Sequence, residues 1–231
     1  MTLTGGIAHQ PAGYEPEPFL QSLPDRAGAA RNSLPRALSL AADLGAVVPL
    51  PGSGRTAVAW QVLTTLASTD LTVARVVEPH LDALAILDQA GHGGGPANRA
   101  GATGTWGVFA AEGPGVVLEA APAPDGGWSL TGTKPWCSLA DQLDAAVVTA
   151  HLADGRRRAF AVDLRADGVL PEPAGTWVSR GLPSVPSCSV RFEAARAVPV
   201  GEPDWYLARD GFAWGGIGVA ACWYGGALGI A

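Results

Sequence analysis

The chain has 231 residues, 48% of them hydrophobic and 16% charged, with a formal net charge of −6 and a pI of about 5.1. A chain of that size can bury roughly 70% of its unfolded surface, its high hydrophobicity and low charge exclude a disordered polypeptide, and its acidic balance argues against a nucleic-acid platform. Three scattered cysteines, Cys137, Cys188 and Cys222, show no paired Cys or Cys/His spacing and so argue against a disulfide scaffold or a metal site.

The N-terminus carries Pro11, Glu15, Pro16 and Glu17 and no basic-then-apolar leader, so a soluble cytoplasmic protein is expected. Apolar residues then recur at helical intervals over 18–27, 34–44, 56–67 and 71–89. In the third of these, Val58, Val62, Leu63 and Leu66 share one stripe. Gly45 is expected to close the second helix, with Pro49 and Pro51 blocking continuation. Thr69-Asp70 suits the N-cap of the fourth, and Pro79 inside it is expected to kink or split it because it lacks an N–H. His80, on an apolar helical face, reads as a core or interface histidine.

Residues 91–104 form a Gly/Pro/Ala connector. Its His92-Gly93-Gly94-Gly95 run reads as linker, because no G-x-S-x-G follows. The period then becomes extended, with strand-like runs at 106–111, 116–120, 128–133, 145–151, 159–164 and 187–192. Gly113-Pro114-Gly115, Asp125-Gly126-Gly127, Asp154-Gly155 and Asp167-Gly168 separate them, and Asp-Gly between β-rich runs signals a hairpin. Arg156, Arg157 and Arg158 follow one of these turns and are expected to cap it rather than bind phosphate. Lys134, the only lysine, reads as an exposed hairpin residue. Strands at such spacing suggest a small barrel or sandwich.

Residues 212–231 hold no charge and six glycines, with a GxxxG spacing from Gly225 to Gly229. They suit either a membrane anchor or the first helix of a buried bundle, and the second is preferred. The expected class is therefore α+β and multidomain: an all-α helical bundle with linker (1–102), a small β-barrel or sandwich (103–203), and the start of a further helix (204–231).

Local motifs in this order resemble the acyl-CoA dehydrogenase superfamily. Trp106 to Gly115 (WGVFAAEGPG) is similar to that family's first strand and "T-E-P-x-x-G-S-D" flavin loop. Trp128 to Ser138 (WSLTGTKPWCS) is similar to "y-x-L-N-G-x-K-x-W-I-T/S". The Asp141 to Val148 strand, Phe160-Ala161-Val162-Asp163 with Gly168-Val169, Arg180-Gly181-Leu182 and Val190-Arg191-Phe192-Glu193 resemble its later β-segments. Arg75 to Ala83 resembles the helix before its β-module.

The resemblance implies FAD, with cofactor contacts at Phe109, Ala110, Ala111, Trp136, Cys137 and Ser138. Trp136 would wall the ring and the Ser138 hydroxyl would bond its polar edge, two residues on along an extended chain. Gly113 and Gly115 would let the backbone approach. It further implies an acyl-CoA or related substrate, electron-transfer flavoprotein or another acceptor, and a homo-oligomer.

Three features depart from the pattern. Ala111 stands where the family has a flavin-contacting threonine, and Gly115-Val116-Val117 replaces "G-S-D". Positions matching the family's alternative base are Gly215 and Gly216, so no candidate base is evident. The expected function is an acyl-CoA dehydrogenase-like flavoprotein oxidising an acyl-CoA thioester to the enoyl-CoA, incomplete or degenerate in this chain. The alternatives are a flavin-dependent monooxygenase of the same fold and a non-catalytic partner subunit.

Overall fold

Four helices make the first layer of the computed structural model, which describes residues 17–91, 104–124 and 126–231. They are α1 (Pro18–Ala30), α2 (Leu34–Val47), α3 (Thr56–Thr69) and α4 (Leu71–Gln89). Each turns one stripe inward, and in α3 the stripe is the expected Val58, Val62, Leu63 and Leu66. Asp70 opens α4, its Oδ1 accepting the Val73 N–H at 3.0 Å.

Two expectations need correcting here. Gly45 does not close α2, which runs on to Val47. It lies buried beneath α4, where an added Cβ would stand 2.6 Å from His80 Nε2 and 2.8 Å from Leu84 Cδ1. The missing side chain allows close helix approach rather than termination. Pro79 does not split α4 either. The helix continues through it because buried residues on both sides, Val76 and Val77 before and Ala83 and Leu84 after, anchor the two halves to one core.

Seven strands follow: β1 (Trp106–Phe109), β2 (Leu118–Pro122), β3 (Trp128–Ser138), β4 (Ala145–His151), β5 (Arg157–Asp163), β6 (Val169–Pro171) and β7 (Ser187–Val200). The order β4-β2-β3-β7-β5 closes on itself through β4–β5, so the module is a five-stranded barrel. β1 adds parallel to β4, and β6 pairs with β7. Phe160, Phe192, Leu130 and Val148 are fully buried. The Asp154-Gly155 hairpin forms between β4 and β5 with Gly155 at φ 84°, and Arg156 pairs with Asp154 across it at 2.7 Å. Between β3 and β7 the register shifts twice, the second time between Lys134 and Cys137. The 92–103 part of the connector, with its His92 to Gly95 run, and Asp125 lie outside the described residues.

The chain ends in α5 (Trp205–Ala208) and α6 (Gly211–Ile230). α6 lies along α3, where the Thr64 hydroxyl donates to the Ala221 carbonyl at 3.3 Å. Side chains at Gly225 and Gly229 would run into the backbone of Thr64 and Ser68, so the GxxxG spacing serves a contact inside this chain. Among the described residues no helix is long and apolar enough to cross a membrane.

Candidate functional site

Two regions carry chemistry, and β1 and α4 join them. The first is the barrel rim where β1 runs out. Phe109 is buried in the barrel opposite Val148. After it the chain leaves the sheet at Ala110, whose carbonyl turns back to accept from Arg157 Nη2 at 3.2 Å and from the Thr149 hydroxyl at 3.4 Å. Ala111 is exposed. The loop then meets the second register shift of β3, for a Cβ on Gly113 would stand 3.2 Å from Pro135 Cγ and 3.5 Å from Trp136 Cη2.

At that bulge Trp136 adopts φ 55° and is 49% exposed. A tryptophan in the left-handed region is uncommon, and such residues gather at functional sites. Cys137 turns the other way into the core, its thiol 3.3 Å from the Lys134 carbonyl, and burial pushes its acidity down. Ser138 is half-buried and shares a 2.7 Å hydrogen bond with the Ser187 hydroxyl. The rim therefore presents Ala111, the indole of Trp136 and the main chain of 111–113. The side chains of Phe109 and Cys137 lie beneath it in the barrel.

Lys134 is corrected from an exposed hairpin residue to a buried one, 3% exposed. Its ammonium donates to Thr149 Oγ1 at 3.0 Å, and Arg157 Nη2 donates to the same oxygen at 3.2 Å. Burial pushes the Lys134 pKa down to about 8 against the pull of the Glu112 carboxylate. Glu112 in turn meets Arg157 Nε at 3.2 Å and His151 Nε2 at 2.7 Å. This network pins the Ala110 carbonyl inward and so fixes how the following segment faces outward.

The second region is a narrow cleft between α2, α3, α4 and α6, with a cavity volume of about 40 Å³ beneath an open mouth. Its walls are apolar, with Val48, Leu63 and Leu81 among them. Trp60 and Trp214 meet there with ring centroids 5.8 Å apart, tilted by 32°. The charged residues lining it, Glu78 and Asp82, are both carboxylates and sit one turn apart on α4. A Cβ on Gly215 would stand 3.0 Å from Asp82 Oδ1. α4 thus delivers a carboxylate to the place that a side chain at position 215 would fill.

Burial raises the Glu78 pKa to about 7, with Arg75, 2.5 Å away, opposing the rise. Burial also raises Asp82, with Arg209 opposing from 3.7 Å. The Glu-x-x-x-Asp spacing in an otherwise apolar helix was the available signal. It went unread because nothing in sequence shows which helix faces the other side of the cleft. Between these carboxylates His80 reads as expected: it is buried, Nδ1 accepts the Trp106 N–H at 3.1 Å, and burial lowers its pKa to about 4. Neutral His80 thereby ties α4 to the start of β1.

The exposed indole, held at positive φ, offers a flat apolar surface, and Gly113 packs against its edge without an intervening side chain. No family model and no curated protein sequence matches the chain. Solved structures match it by fold. Dibenzothiophene monooxygenase TdsC from Paenibacillus sp. A11-2, in complex with FMN and indole, is 20% identical with a TM-score of 0.66, covering 91% of this chain and 59% of that one. Nitrososynthase from Micromonospora carbonacea var. africana is 21% identical with a TM-score of 0.64, over 89% of this chain and 60% of its own. Glutaryl-CoA dehydrogenase from Mycobacterium smegmatis is 17% identical with a TM-score of 0.62, over 92% and 62%.

The helical layer, closed barrel and returning helix are thus the acyl-CoA dehydrogenase fold. The chain spans about three-fifths of the length of those solved structures.

Proposed function

We propose that this chain is the flavin-binding part of an oxidoreductase, with the flavin ring against Trp136 at the barrel rim. The observation that carries this reading is the half-exposed indole, held at positive φ and faced by Gly113. When bound, the flavin supplies hydride or oxygen-transfer chemistry; the chain's residues bind and orient. Trp136 would stack on the ring, the Ser138 hydroxyl and the 111–113 main chain would bond its polar edge, and the Lys134–Thr149–Arg157 network would hold that main chain in place. Ala111 offers no hydroxyl. FMN and FAD are both candidates, since the rim residues recognise the ring they share.

For the reaction, oxygenation of a compact substrate is the favoured reading. The helical cleft, with a volume of only about 40 Å³, suits a long fatty acyl tail poorly. A second reading, dehydrogenation of an acyl-CoA thioester, draws support from Glu78, a carboxylate whose pKa of about 7 suits proton abstraction. Homo-oligomerisation and delivery of electrons to an electron-transfer flavoprotein or another acceptor belong to that second reading.

The test is titration of FMN and of FAD into the chain, followed by quenching of flavin fluorescence. Binding of one or both is expected, with Trp136→Ala weakening it about tenfold through lost stacking. Indifference to both flavins would overturn the proposal. Isotopically labelled dioxygen separates the two reactions: an oxygenase transfers a labelled atom to its product, and a dehydrogenase transfers none.

A further inference from the structure

Two of the three cysteines lie opposite each other beside Trp136, and the flavin reading uses neither. Cys137 on β3 and Cys188 on β7 are direct cross-strand partners, just past the second register shift. Regular pairing resumes there, for the next pair along the ladder, Ser138 and Ser187, brings two hydroxyls to 2.7 Å. Opposite residues of an antiparallel pair share a face of the sheet, and their Cα atoms stand roughly 4.5–5.5 Å apart. A disulfide spans Cα separations of about 4.4–6.8 Å, so the backbone needs no rearrangement to accept one.

The two thiols have unlike surroundings. Cys137 Sγ is buried against the Lys134 carbonyl at 3.3 Å, where desolvation holds it protonated. Cys188 is half-buried, and its thiol donates to the Pro173 carbonyl at 3.5 Å and accepts from the Thr176 hydroxyl at 3.4 Å. A small oxidant from solvent therefore meets Cys188 first. An accessible thiol beside a sheltered one is the arrangement in which oxidation at the first sulfur is resolved by the second. The third cysteine, Cys222, is buried on α6 and belongs to the helical layer.

We propose that Cys137 and Cys188 are a peroxide-oxidised pair that closes to a cross-strand disulfide between β3 and β7. The Cys188 sulfur attacks one peroxide oxygen and the O–O bond breaks. A sulfenic acid forms on Cys188, and the other oxygen leaves as water with the thiol proton. The Cys137 sulfur then attacks the Cys188 sulfur. The S–O bond breaks, the S–S bond forms, and the hydroxyl leaves as a second water with the Cys137 proton. The dithiol loses two electrons, and hydrogen peroxide gains both. Closure takes Cys137 from the Lys134 carbonyl and Cys188 from the 173–176 turn. The bulge that carries Trp136 and the turn beside it thus both depend on the redox state. The inference goes beyond the proposed function and does not rest on it, because the thiol chemistry needs no flavin.

The test treats the folded, flavin-free chain with hydrogen peroxide, counts thiols after denaturation and maps linked peptides by mass spectrometry. Free thiols are expected to fall from three to one, with a Cys137–Cys188 peptide pair lighter by two hydrogens. Dithiothreitol should restore all three. Cys188→Ser should protect Cys137 from the same peroxide dose. Cys137→Ala should leave Cys188 as a sulfenic acid that dimedone traps, with circular dichroism confirming that both variants fold. Cys222→Ser should form the disulfide unchanged. Linkage through Cys222 or between two chains would overturn the proposal. So would Cys188 carried on to sulfinic acid while Cys137 stays free, or thiols that all survive peroxide in the folded chain.

Discussion

Glu78 and His80 sit two residues apart on α4 and pull the pH dependence of stability in opposite directions. The folded-state pKa of Glu78 lies above its ordinary 4.5, at about 7, so its stabilising contribution is complete below 4.5 and disappears as pH rises to 7. His80 falls from 6.5 to about 4, so its contribution is present above 6.5 and is lost as pH falls toward 4. Each swing corresponds to about 3 kcal/mol, at roughly 1.4 kcal/mol per pKa unit. From pH 4.5 to 6.5 the two offset each other. Glu78→Gln should expose the histidine's acid sensitivity, and urea midpoints should then fall steadily as pH drops through this window. A profile as flat as the parent's would refute the assignment. His80→Leu should reverse the slope, and should also cost about 1–3 kcal/mol by leaving the Trp106 N–H without its acceptor.

Glycines in α6 divide into those that contact α3 and those that do not. A methyl group at Gly225 would run into the Thr64 carbonyl and the Ala67 side chain, whereas nothing lies within 4 Å of a Cβ at Gly216. Replacing a helical glycine by alanine gains about 1 kcal/mol where space allows, and overpacking costs about 1–3 kcal/mol where it does not. Gly216→Ala should therefore raise the melting temperature by a few degrees and Gly225→Ala should lower it. Equal shifts would show that α6 is not seated on α3. At this scale helices and turns were largely legible from sequence: Asp70 capped α4 and Asp154-Gly155 turned β4 into β5, because caps and turns are local chemistry. Gly45 and Lys134 were misread because each answers to a neighbour distant in sequence: α4 over Gly45, and Thr149 beside Lys134.

The whole molecule keeps one large apolar face outside. Trp223 is 76% exposed, and Tyr224, Ile217 and Leu228 share the outer side of α6 with it. Contiguous apolar surface of that kind marks an interface or an aggregation liability. The chain is expected to self-associate at micromolar concentration. Trp223→Glu combined with Leu228→Glu should shift sedimentation toward the monomer without changing the helical signal. A parent chain that stays monomeric at high concentration would contradict this.

Periodicity and turn residues placed the helices and most barrel strands from the sequence alone, since they act over a few positions. The sequence also showed that Gly215 and Gly216 carry no carboxylate. Only the folded chain decided that α4 brings Asp82 to that same place, that Glu78 faces two indoles across a cleft, and that the lone lysine lies inside the barrel. Those outcomes depend on which helices and strands pack together, and packing is decided by contacts between segments far apart in the chain.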